Sequence, residues 1–218
     1  MKIILAVAAV VLSCNLAYAQ SATLERHVEG HTVLSERDPV VQIKLPAQAR
    51  YVGAHRWTLY DIADCELHLF VEADESKKVQ RLYWIQFEGY IASRPELHYD
   101  YSSDAITEFA GRPFHVNSSI SDPNRKPRPG SDFEQVQKLI HENGYRLGDR
   151  SINVRLVNLF DDGRKELMII YAEDMKPTGL TPDDLQAGGS AEKQWPEIQR
   201  QLLENAKARI SLDWSPTN

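Results

Sequence analysis

The side chains in this chain that could do chemistry are concentrated where a strand crowded with aromatic rings follows a strand carrying a thiol, an imidazole and two acids. Residues 81–90 read RLYWIQFEGY, bringing Tyr83, Trp84, Phe87 and Tyr90 together with Gln86 and Glu88. Just upstream, CELHLFVE (65–72) adds Cys65, Glu66, His68 and Glu72. Alternate residues of an extended strand share a face. Joined by a loop of odd length, the two strands would set His68 beside Trp84, Gln86, Glu88 and Tyr90. The opposite face would then be apolar, with Cys65, Leu67, Leu69 and Val71 beside Tyr83, Ile85 and Phe87. Rings interleaved with an imidazole and a few amide or carboxyl groups suit a ligand-binding concavity. The competing reading is the wet side of a half-exposed antiparallel sheet, and a loop of even length would scatter the set over both faces. His68 with Glu66 or Glu88 could also form an imidazole–carboxylate pair tuned towards neutral pH, as a hydrolase needs for its general base.

A second candidate is basic. SDPNRKPRPGS (121–131) is an extended loop whose Arg125, Lys126 and Arg128 lie just ahead of a helix start, where an anion or a partner could be held. Against this, Ser131 and Glu134 form a capping pair that uses some of the free amide donors, leaving a solvated basic loop. Metal chemistry has less support. His27 and His31 are four apart in HVEGH, but Gly30 weakens a helix there and no third ligand is near, so no metal site is expected. His141-Glu142 lacks the second histidine of a zincin motif. Cys65 lies between Asp64 and Glu66, which would raise its thiol pKa, and on an apolar strand face it reads as a small core residue. There is no G-x-S-x-G, no S-x-x-K and no phosphate- or dinucleotide-binding glycine pattern. No catalytic residue and no cofactor is assigned.

The chain opens MKIILAVAAVVLSCNLAYAQ, with one lysine, an apolar run from Ile3 to Leu12 and small residues at Ala17 and Ala19. That is an export signal cleaved before Gln20, and its run is too short to span a bilayer, which takes about 20 apolar residues. Val11-Leu12-Ser13-Cys14 loosely resembles a lipoprotein box, which would instead leave a lipid anchor on Cys14. A periplasmic or secreted location is expected, and Cys65 would be the one cysteine left, unable to form an internal disulfide. A formal charge of −6 without a long basic run argues against nucleic acid as a partner.

The elements that must position these residues form an α+β pattern. Residues 20–38 are polar and weakly periodic, a loosely held N-terminal arm ahead of one domain over 39–214. Strands are expected at 41–45, 51–62, 65–72 and 79–91, with a hairpin near Gly111. Ser131 caps a helix over 132–143 whose buried stripe is Phe133, Val136, Leu139 and Ile140. INVRLVNLF and KELMIIYAE flank Asp161-Asp162-Gly163, a strong hairpin signal. After a linker at 176–190, Ile198, Leu202, Ala206 and Ile210 recur every four residues in a closing helix over 196–211. About six to eight antiparallel strands covered by two main helices result. By architecture alone this resembles the PsbP/Mog1-like α+β domains, which implies no activity. Without a catalytic motif, the leading expectation is a soluble exported binding domain for a small amphipathic molecule or a protein partner. The alternatives are a hydrolase using a His–carboxylate pair and a structural or assembly factor of the envelope.

Overall fold

The structure, a computed structural model, describes residues 23–214. The expected export signal with its cleavage before Gln20, and the alternative of a lipid anchor at Cys14, lie outside these residues. The described chain is α+β, built on two antiparallel sheets. The smaller holds β1 (His27–Glu29), β2 (Thr32–Glu36), β3 (Val40–Lys44) and β11 (Ser211–Asp213), in that order. The larger has seven strands. These are β4 (Arg50–Leu59), β5 (Ala63–Ala73), β6 (Val79–Tyr90), β7 (Ala105–Phe109), β8 (Arg112–Ser121), β9 (Ser151–Phe160) and β10 (Lys165–Asp174), ordered 4-5-6-10-9-8-7. Three helices accompany them, α1 (Asp132–Glu142), the single turn α2 (Pro182–Leu185) and α3 (Trp195–Arg209).

The hairpins follow from their turns. Asp161, Asp162 and Gly163 all take positive φ between β9 and β10, and Gly111 does so between β7 and β8. Helix α1 begins at Ser131, whose hydroxyl accepts from the Glu134 amide. Glu134 reaches back to the amide of Gly130 at 2.7 Å, one residue earlier than the usual capping box. The helix ends at Asn143, with Gly144 left-handed at φ 72.

The expected N-terminal arm is corrected by the structure, because its residues carry β1 and β2. Gly30, at φ 58, turns the chain between them, and Val33 is fully buried. Strands of three and five residues are too short for alternation to stand out, and they gain order only by pairing with β3. The third strand missing from the sequence reading is β11, which pairs with β3 from the far end of the chain.

Two cores lie on opposite faces of the large sheet. On one, Phe70, Tyr83, Ile85, Phe87, Leu167, Ile169 and Tyr171 pack against the small sheet and the Leu202–Ala206 stripe of α3. On the other, Leu67, Leu69, Val71, Leu82, Trp84 and Met168 pack against Val136, Leu139 and Ile140 of α1. Helix α1 comes close to β4 because of Gly53, which sits at a register shift with φ 153. A Cβ there would lie 3.2 Å from Leu139 Cδ2.

The pairing of β5 with β6 also departs from expectation. The connecting loop has the odd length assumed, since Ala73 opposes Val79 across residues 74–78. A register shift follows at once, so that Glu72 opposes Arg81 and every later pair joins an even to an odd residue. Glu66, His68 and Phe70 therefore share a face with Phe87, Ile85 and Tyr83, and Cys65, Leu67 and Leu69 share the other with Glu88, Gln86 and Trp84. His68 and Trp84 are on opposite sides of the sheet. Tyr83, Ile85 and Phe87 are core, as expected, but with different neighbours.

Candidate functional site

With both faces of β5 and β6 covered, each polar residue in these strands must find its partners inside the protein. His68 is fully buried, and its Nε2 lies 3.0 Å from Glu66 Oε1. Glu66 also accepts from the backbone amides of Glu25 at 2.7 Å and Arg26 at 2.8 Å. The Arg26 guanidinium lies over the Phe87 ring, 4.4 Å from its centroid. Burial pushes the Glu66 carboxyl up. The His68 contact, the two amides and Arg26 together outweigh this and hold it below its ordinary value. The Tyr51 hydroxyl lies 3.4 Å from His68 Nδ1, and burial foremost pushes that hydroxyl up to about 12. The imidazole–carboxylate contact thus exists, but it is sealed in the core and spent on tying residues 25–26 to the large sheet.

On the other face the remaining aromatic-strand candidates, Trp84, Gln86, Glu88 and Tyr90, stand in one row. Trp84 Nε1 donates to Gln86 Oε1 at 2.8 Å, and Gln86 Nε2 donates to Glu88 Oε2 at 2.7 Å. Tyr99 donates to Glu88 Oε1 and Tyr101 to Glu166 Oε2, each at 2.8 Å. Tyr90 stacks on Tyr99 with centroids 4.4 Å apart. Burial, then the neighbouring Glu88, pushes the Glu166 carboxyl up to about 8. Asp132, at the first turn of α1, is raised to about 6 for the same two reasons, and its Oδ1 is buried without a partner. Cys65 completes the cluster. Its Sγ and carboxylate oxygens of Glu88 and Asp132 lie within 4.8 Å of one another, the one such trio among the described residues. These are metal-ligand types, yet Glu88 already accepts two hydrogen bonds and burial pushes the thiol well up, away from a thiolate. As found, the cluster is a closed hydrogen-bonded network in which burial pushes Cys65, Asp132 and Glu166 towards their neutral forms.

Beside this network the face opens. Helix α1 covers β4 to β6, but over β10, β9 and β8 the cover is the 121–131 loop, and a cavity of about 560 Å³ lies between loop and sheet. Its floor is Leu82, Trp84, Ile170 and Ala172, and Val136, Phe133 and Leu147 extend the apolar surface. Ser119, Ser121, Ser151 and Asn153 supply a polar wall, and Arg125, Lys126 and Arg128 line it from the loop. The loop is tied down by Asn124 Nδ2 donating to the Gly148 carbonyl at 2.8 Å. Gln137 Nε2 also donates to the carbonyls of Pro123 at 2.9 Å and Arg125 at 3.1 Å.

The structure therefore joins the two sets the sequence kept apart, since Trp84 and the Arg125–Arg128 loop line one cavity. His68 is excluded from it, and Gln86 and Glu88 lie among its neighbours in the closed network. The other histidine pair is dispersed as well. His27 sits on β1 near Glu29, and His31 Nδ1 contacts the Ala49 carbonyl at 2.8 Å. Reading the sequence missed Ile170, Ala172, Ser119 and Asn153. The alternation of polar Asn153 and Arg155 with apolar Ile152, Val154 and Leu156 was the available signal, because it marks a strand with one wetter side.

No family model, no curated protein and no solved structure matches this chain. Among the described residues no helix is long and apolar enough to cross a membrane.

Proposed function

We propose that this chain is an exported, non-catalytic binding domain that takes a small amphipathic molecule into the cavity under the 121–131 loop. The observation that carries this reading is the cavity itself. At about 560 Å³ it falls within the range of small-molecule sites, and it combines an apolar floor with a few polar groups along one wall. Its floor is part of the large sheet, and its roof is a loop tied to Gly148 and Gln137 at residues 123–125 and running into α1 at its other end, so little ordering is needed on binding. A hydrolase is less well supported, because His68 and Glu66 are both buried and the neighbouring hydroxyl is a tyrosine whose pKa is raised.

The test is titration with a neutral apolar dye such as N-phenylnaphthylamine, followed by dye emission and tryptophan quenching. Saturable binding of about one dye per chain is expected. Ala172→Phe sets a ring on the cavity floor and should abolish binding with the melting midpoint nearly unchanged. Equal dye binding by the filled variant would overturn the reading.

A further inference from the structure

Most of the charges lining the cavity neutralise one another. Arg150 Nη1 lies 3.0 Å from Asp122, Asp174 is 2.6 Å from Lys78 Nζ, and Arg81 is 2.9 Å from Glu72. Arg125, Lys126 and Arg128 differ. Among the described residues none of the three has a carboxylate within ion-pair distance or a side-chain hydrogen bond, and all three are exposed. Both guanidiniums are nevertheless held in place, by rings rather than by acids. Arg125 lies 5.1 Å from the Phe133 centroid and Arg128 4.4 Å from that of Tyr60. A guanidinium held over a ring keeps its N–H donors free for another group.

The acids that also line the cavity are Asp132, Glu173 and Asp174. Asp174 pairs with Lys78, Glu173 accepts from Tyr171 and Asn205, and Asp132 Oδ1 is shielded from solvent. The unpaired, exposed charges of the cavity are thus the three cations of the loop. The amides at the start of α1 do not provide a rival anion site, because the capping contacts of Ser131 and Glu134 occupy that end.

We propose that the ligand is an anionic amphiphile, with its carboxylate or phosphate head at Arg125, Lys126 and Arg128 and its apolar body across Leu82, Trp84 and Ile170. This rests on the cavity being a binding site and adds the charge of the ligand and the direction in which it lies. Charge-assisted hydrogen bonds from a loop already in place favour an oxyanion over a neutral polar head, and three unpaired cations at that position repel a cationic one.

The experiment measures four ligands with one ten-carbon chain by calorimetry at low salt. They are decanoate, decyl phosphate, decanol and decyltrimethylammonium, with inorganic phosphate as a fifth probe. Decanoate or decyl phosphate should bind about tenfold or more tighter than decanol, and the stronger of the two identifies the head. Decyltrimethylammonium should be weakest. The advantage of the anions should shrink as salt rises. In the triple variant Arg125→Gln, Lys126→Gln, Arg128→Gln the anions should fall to the level of decanol, with decanol itself and the melting midpoint unchanged. Decanol binding as tightly as decanoate would overturn the anionic head and leave the cavity reading standing. Failure of all four amphiphiles, together with the neutral dye, would overturn both. Inorganic phosphate matching decyl phosphate would show that the apolar body contributes nothing, and would also overturn the proposal.

Discussion

Among the carboxyls of the described residues, Glu166 is the one that burial raises furthest. It is 2% exposed, it faces Glu88, and its carboxylate accepts a hydrogen bond from Tyr101. Burial and the neighbouring charge raise its carboxyl in the folded chain to about 8, well above the ordinary carboxylate range. The folded state therefore holds this proton more tightly than the unfolded state does. Its contribution to stability is complete below about pH 4.5, declines as pH rises, and is lost once pH passes about 8. Glu166→Gln keeps an acceptor for Tyr101 and cannot ionise. We expect it to match the parent near pH 4.5 and to be more stable by about 2–4 kcal/mol at pH 8 and above, in denaturant titrations at a series of pH values. An advantage that stays flat across that range would show that Glu166 is charged in the folded protein. Glu66 works in the opposite direction, because its carboxyl is held low and its contribution fades as pH falls. Sequence could place Glu88 beside Trp84 and Gln86 on one face. It could not supply Glu166 as a neighbour, because that contact depends on β10 pairing with β6 across more than seventy residues.

Among the elements, most strands and both main helices were legible, since their signals are local: alternation, caps and turn residues. The register of β5 on β6 was not. The loop parity was as assumed, but one register shift next to the loop reversed the facing of the rest of the hairpin. The apolar pattern could not reveal the slip, because both faces of these strands are covered and either register buries apolar side chains. The closing helix is the converse case. Its four-residue spacing demanded a buried stripe, and α3 buries Leu202 and Ala206 against the large sheet, with Ile210 at its C-cap also in the core. Leu202 is 1% exposed, so Leu202→Ala should destabilise the protein by about 2–5 kcal/mol, read as a lower midpoint in chemical denaturation. A change below about 1 kcal/mol would mean that the surrounding side chains close the gap, as the less rigidly packed of Leu→Ala sites do.

At the scale of the molecule, the two sheets are not equally secured. The large sheet has seven strands and a packed core on each face. The small sheet has four strands, two of them only three residues long, and it joins the two ends of the described chain by pairing β11 with β3. Its attachments are few and specific. Glu66 binds the amides of residues 25 and 26, and Arg26 donates to Ser35 and to the carbonyls of residues 37 and 38. At the other end, the Trp214 ring packs on Phe114 with centroids 6.3 Å apart and carries Arg112 at 4.0 Å. Pairing between residues near 43 and 212 leaves no trace in local sequence, which is why β11 was not expected beside β3. Local opening should begin where strands are short and one face lacks cover. A chain ending at Ile210 keeps α3 and the large sheet but loses the strand that borders β3. We expect its β3 amides to exchange with deuterium at least about tenfold faster than in the full chain, while amides of β5, β6 and β10 keep their protection. Equal acceleration in both sheets would show that the small sheet opens only with the whole molecule, and that β11 closes one cooperative unit rather than securing a separable one.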